Sequence, residues 1–179
     1  MQNTNKTILA YVSIIFSMIF WGISFVWTKE LLNANFPVFL ILTIRLAIAS
    51  LLMFTTFYLM GKLERIEKSD IPKFLLLTLF EPFLYFIGEN FSMHFVDASF
   101  AAIMIALLPI VNPIALHIFN KDKLGWNLLF GAVISVVGII IMSINPSGEL
   151  KISWQGTMLL LLAVVSGSGY GVILSRLIN

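Results

Sequence analysis

Six stretches of about twenty apolar residues, joined by short polar links, dominate the chain: Ile8–Thr28, Val38–Leu59, Phe74–Met93, Phe100–Phe119, Trp126–Ile144 and Trp154–Leu174. A helix rises 1.5 Å per residue, so roughly 20 residues match about 30 Å of hydrocarbon. The runs are continuous and lack the alternation of apolar and polar residues that barrel strands need. A helix also satisfies its own peptide groups where no water can do so. Composition agrees: 59% of residues are hydrophobic and 11% charged, against about 45–50% and 25% in soluble domains. The chain therefore reads as an all-α membrane protein of about six transmembrane helices, with the lipid bilayer as solvent. The links Lys29–Pro37, Gly61–Lys73, Phe95–Ser99, Asn120–Gly125 and Asn145–Ser153 carry loop residues. The first run is longer than a signal-peptide core and no small-residue cleavage pattern follows it, so it reads as a retained helix.

With the N-terminus inside, Lys6, Lys62, Arg65, Lys68, Lys73, Lys121, Lys123 and Arg176 lie on the inner side, and only Lys29 and Lys151 on the outer. That asymmetry places the N-terminus in the cytoplasm. The basic residues sit in short clusters between apolar runs, which argues against nucleic acid as a partner. No cysteine is present, so disulfides and thiolate chemistry are excluded. His94 and His117 lack metal-ligand spacing, and no metal or cofactor is expected. The chain has no P-loop, dinucleotide fingerprint, H-E-x-x-H or nucleophile elbow. ATP is thus excluded as a fuel within it.

Ionisable groups at membrane depth are costly, by roughly 2.5–3.5 kcal/mol each on insertion scales, and mark functional sites by default. Three stand out: Arg45 in the second run, and Glu81 and Glu89 in the third. At 1.5 Å per residue, Arg45 lies about 12 Å, Glu89 about 6 Å and Glu81 about 18 Å from the outer boundary. In an unbroken helix the two glutamates stand about 80° apart with Tyr85 between them. Glu81, Tyr85, Gly88, Glu89 and Ser92 then form one stripe facing protein or water. One glutamate is expected to pair with Arg45. The other is a candidate to carry a proton or to bind a cationic group of a substrate. A purely structural ion pair is the competing reading.

Prolines supply a second signal. The fourth run contains Leu108-Pro109-Ile110-Val111-Asn112-Pro113, with Pro109 near the midplane. Each proline removes a helix hydrogen bond and crowds the carbonyl four residues back. Broken backbone at that depth is tolerated against protein or a water-filled cavity. Asn112 is a candidate to serve the freed carbonyls or a solute, and Pro82 is expected to bend the third helix similarly. Pro82, Pro109 and Pro113 are therefore candidate breaks or gating points. Trp21, Gly22, Ser24 and Trp27, and Ser166-Gly167-Ser168-Gly169-Tyr170-Gly171, bring small and aromatic residues together. Close helix contact is their expected role, with Trp21 and Tyr170 as candidates to line a pathway. Trp27, Trp126 and Trp154 lie near helix ends, as interfacial anchors do.

A shift of 147 residues sets Gly22 on Gly169, Thr28 on Ser175 and Lys29 on Arg176. The first and sixth helices cross in opposite directions, so the match suits an inverted repeat of a kind common in secondary transporters. The expected division is one five-helix unit over residues 1–145, followed over 146–179 by a loop and the first helix of an inverted second unit. A chain stopping there reads as a piece of a ten-helix protein, to be completed by the remaining helices of a second repeat or by a dimer partner. The alternative is a six-helix protein.

Trp21-Gly22-Ile23-Ser24-Phe25 resembles the W-G-x-x-F start of EamA-type transporters of the drug/metabolite transporter superfamily. Ala98–Pro109 is similar to that family's fourth helix, and Gly131 and Gly138 to the paired glycines of its fifth. Asp122 stands where the family usually has glutamate. The resemblance implies ten helices in two inverted units, a central cavity, and movement of small organic solutes across the bacterial plasma membrane, typically export of amino acids, drugs or related metabolites. Glu81 and Glu89 are not general family features, so only the membrane argument singles them out. The expected function is a secondary exporter of a small organic metabolite, with protons as a candidate coupling ion. The alternatives are an intramembrane enzyme using a buried glutamate, or a non-transporting subunit or fragment.

Overall fold

The computed structural model describes residues 2–63, 65–121, 124–142 and 153–178, all helices, turns and short links. The turn holding Asp122 and Lys123, the boundary at 145/146 and Lys151 lie outside the described residues.

Helix α1 (Gln2–Asn33) and helix α2 (Val38–Leu59) run without interruption. Both stop in the same way. Asn35 and Gly61 take positive φ values of 63°, and the amides of Phe36 and Lys62 each donate to the carbonyl five residues back, Leu31 and Phe57. Asn35 and Gly61 themselves donate to Leu32 and Tyr58, which closes a Schellman turn over otherwise orphaned carbonyls. Glycine and asparagine are the residues that tolerate this conformation.

The third and fourth runs are each broken in two. Helix α3 (Ile71–Thr78) leads into a wide π-type turn, Leu79–Leu84, and then helix α4 (Tyr85–Ser92). Pro82 offers no amide hydrogen there, and Glu81 leaves helical space altogether, at φ −141° and ψ 121°. Helix α5 (Ala98–Ile105) and helix α6 (Leu108–Asn120) are separated at Ala106-Leu107, just ahead of Pro109. Pro113 sits inside α6. The third run is interrupted at Pro82 and the fourth just ahead of Pro109, whereas α6 continues through Pro113.

Helix α7 (Trp126–Met142) is apolar but only 17 residues long as described, and helix α8 (Trp154–Ile178) closes the chain. Among the described residues, five segments are long and apolar enough to cross a membrane: Thr7–Asn33, Val38–Leu59, Ile71–Ser92, Ala98–Asn120 and Trp154–Leu177. The sequence pattern carries a sixth, and the difference lies in α7, whose described length is about 26 Å.

α8 is the centre of the packing, lying against α4, the wide turn and α6. Leu160, Ala163 and Val164 of α8 join Tyr85, Met93, Ala101 and Ile105 in the core. Large apolar side chains such as Leu51, Phe54, Leu59, Phe130 and Ile134 point outward. That inversion of the soluble pattern is what lipid solvent permits. The chain is a multi-pass all-α membrane protein.

Candidate functional site

Glu89 lies on α4 with its side chain 1% exposed. It is held inward because Gly88 beside it lets α8 come close: a Cβ at Gly88 would stand 2.4 Å from the Leu159 carbonyl oxygen and 2.8 Å from the Ala163 nitrogen. Two backbones meet there with no room for a side chain, and the neighbouring carboxylate is carried into the bundle. Arg45 reaches it from α2, Nη1 to Oε1 at 3.7 Å. The guanidinium also sits over the Phe86 ring, 4.8 Å from its centroid, a cation–π contact that fixes its position.

This pair is loosely joined. Charge-assisted N–H···O bonds run about 2.7–2.9 Å. Here Arg45 Nη1 and Glu89 Oε2 are both buried without a hydrogen-bond partner inside 3.5 Å, as are Tyr85 Oη, Asn90 Oδ1, Asn112 Oδ1 and Ser168 Oγ. Tyr85 and Arg45 nevertheless both stand near enough to Glu89 to act on its carboxylate as long hydrogen-bonding neighbours. Buried polar atoms are normally partnered. Six such atoms on α2, α4, α6 and α8 are a feature of the bundle interior.

Of the expected stripe, Tyr85, Gly88, Glu89 and Ser92 are buried together. Glu81 is only half-buried and stands on the broken turn, so counting 100° per residue does not carry across from Glu89. Asn112 lies on α6 against Gly171 of α8, where an added Cβ would be 3.4 Å from its Oδ1. Trp21 is half-buried and tilted against Phe25, their centroids 6.3 Å apart. Pro109 is exposed on its helix, while Pro82 and Pro113 are half-buried. The structure therefore gathers Arg45, Tyr85 and Glu89, brings Asn112 to α8, and leaves Glu81 and Trp21 at the edges.

The glycines divide sharply. Gly167, Gly169 and Gly171 meet Leu108, Phe80 and Asn112, whereas Gly22 of α1 has nothing near it. Close contact through small residues holds for α8 and not for Gly22 within this chain. Trp27, Trp126 and Trp154 are exposed near helix ends, as anchors would be.

Asn90 was not singled out from sequence, and the contact that Lys29 makes was not foreseen. Asn90 is 1% exposed and donates through Nδ2 to the Phe86 carbonyl at 2.8 Å; its signal was an amide beside Glu89 in an apolar run. Lys29 reads as a loop charge, yet its Nζ turns back to donate to the carbonyls of Met93 (2.6 Å) and Val96 (3.0 Å). Among the described residues, no group of three His, Asp or Glu is placed to hold a metal.

The sequence matches the EamA-like transporter family over residues 8–144. Curated relatives include an uncharacterized transporter of Archaeoglobus fulgidus, 28% identical over 137 residues, which covers 76% of this chain and 48% of that protein. The uncharacterized transporter YdfC of Bacillus subtilis is 27% identical over 174 residues, 97% of this chain and 56% of its own length. YcxC of the same organism, also an uncharacterized transporter, is 28% identical over 163 residues, 90% of this chain and 52% of its length. The chain spans about half the length of these relatives. No solved structure matches. The extent of the match and the helical membrane architecture agree, and the chain belongs to the EamA-like transporter family.

Proposed function

We propose that this chain supplies one five-helix unit and the opening helix of an inverted second unit in a secondary transporter that exports a small organic metabolite across the bacterial plasma membrane. In this reading the N-terminus is cytoplasmic, and the structure is completed by a second unit, either in the same polypeptide or as a partner copy.

One observation carries the reading: a carboxylate, Glu89, is held at 1% exposure within a membrane span and met by a cation only at 3.7 Å. A buried ion pair offsets its desolvation cost only with close geometry and further hydrogen bonds, and this one has a single long contact. A loosely met carboxylate is free to exchange its partner for a proton. Broken helices support the same reading, since transporters use interrupted spans to place backbone and side chains around a solute. Both breaks, at 79–84 and 106–107, lie in spans that flank α8. The inverted arrangement is supported by the matched cations. Lys29 ends on the carbonyls after α4. Arg176 donates to the Phe119 carbonyl at 2.8 Å and the Asn120 side chain at 2.9 Å, at the end of α6. Each closes the far end of a broken span.

The test is proton-gradient-driven flux in proteoliposomes of the two-unit protein, with solutes chosen by a growth-resistance screen against amino acids and toxic analogues. Glu89→Gln is expected to abolish the dependence on the gradient, and Glu81→Gln to reduce it. Wild-type rate and pH dependence in both variants would overturn the reading.

A further inference from the structure

A groove of about 470 Å³ lies between α1 and α2, lined by Ser24, Trp27, Thr28, Leu31, Phe36, Leu40, Ile41, Ile44 and Arg45. Its volume falls within the range of about 300–1,000 Å³ typical of small-molecule sites. The walls are mostly apolar, and Trp27, Leu31, Phe36, Leu40 and Ile44 among them are exposed. One wall residue is charged, and it is Arg45.

The sign of that charge decides what the groove can hold. Glu89 forms no part of the lining and is 1% exposed, whereas the Arg45 side chain is 32% exposed. The groove therefore meets the cationic member of the pair and not the anionic one. A guanidinium carries five N–H donors in a fixed fork. Glu89 engages it through one long contact to Nη1, which is itself buried, and Phe86 holds its plane in place. The exposed third of the side chain is what an occupant of the groove meets. Such a fork is suited to bind a planar carboxylate bidentately. The apolar walls beside it would take a hydrocarbon or aromatic body.

We infer that the groove between α1 and α2 binds an amphipathic organic anion, its acidic group on Arg45 and its apolar body between Trp27, Leu31, Leu40 and Ile44. This deepens the transport reading by naming the class of solute, and it rests on that reading only in taking the bound anion to be cargo. The occupant is a free solute and not a bilayer lipid.

Calorimetric titration of the detergent-solubilised chain with 4-phenylbutyrate, 4-phenylbutan-1-ol and 4-phenylbutylamine tests it, because the three share a body and differ in charge. The acid is expected to bind at least about tenfold more tightly than the alcohol or the amine, the margin of one charge-assisted contact. Leu40→Trp, which fills the groove away from the ion pair, is expected to weaken the acid by about tenfold or more. The double variant Arg45→Gln/Glu89→Gln, which leaves no unpaired buried charge, is expected to bind acid and alcohol alike. Equal binding of acid and alcohol by the parent chain, tighter binding of the amine, indifference to Leu40→Trp, or no binding of the acid up to millimolar concentration would each overturn the inference. So would native mass spectrometry showing a co-purified lipid that Leu40→Trp releases. Any of these results alongside intact, Glu89-dependent flux would remove the anion site and leave the transport reading standing.

Discussion

At the scale of single residues, the Arg45–Glu89 pair is the decisive feature, and its asymmetry makes it testable. Removing one member leaves the other charge buried without its partner, which is strongly destabilising, on the order of 3–5 kcal/mol for a fully buried pair. Arg45 is one-third exposed, so the effect is expected below that range. Arg45→Gln should lower the melting temperature in detergent, and adding Glu89→Gln should restore most of it. A double variant no more stable than the single one would show that the two groups are not coupled. Lys29 acts at the same scale. It donates to two backbone carbonyls just past α4, and hydrogen bonds from charged groups contribute about 1.5–3 kcal/mol each when well formed. Lys29 is half-buried, so Lys29→Met is expected to destabilise by about 1–3 kcal/mol, measured as thermal stability in the same detergent.

At the scale of elements, packing without side chains joins α8 to the broken third span. Apolar surface provides little drive between helices in lipid, so close backbone approach must supply the contact. Gly88→Ala would place a methyl group 2.4 Å from the backbone of Leu159, and backbone cannot swing aside as a side chain can. The expected result is a loss of about 1–3 kcal/mol, as for overpacked cores. Gly22→Ala meets open space and should be neutral or slightly stabilising, because alanine is the better helix former. Parallel melting curves for the two variants check the contrast. An equal loss in both would indicate helix propensity at work and not contact between helices.

At the scale of the whole molecule, the proposed cytoplasmic N-terminus rests on where the basic links fall. The chain contains no cysteine, so single introduced thiols report without background. Ser69→Cys, in the lysine-rich link before α3, is expected to react with impermeant maleimide only in inside-out vesicles. Asn35→Cys, in the turn after α1, should react only in intact cells. The reverse pattern would place the N-terminus outside.

Much of this architecture was readable from the chain because lipid imposes a simple rule. Peptide groups must be satisfied within each crossing, so every span announces itself as a continuous apolar run, and prolines such as Pro82 and Pro109 announce where that satisfaction fails. The charges at depth, Arg45, Glu81 and Glu89, were visible on the same grounds, and so was the expectation that the arginine meets one glutamate. The choice of Glu89 was not visible. It depends on the break at Glu81, which cancels any angular count along one helix, and on the approach of α8 to Gly88, about 70 residues away in sequence. Lys29 misled for a related reason: a loop lysine and a lysine folded back onto distant carbonyls look identical until their acceptors are located. Sequence alone determined the solvent, most of the crossings and the residues that solvent would not tolerate, since each depends on local hydrogen bonding and transfer free energy. Only the tertiary structure decided which of those residues meet, because pairing depends on contacts between segments that no local pattern encodes.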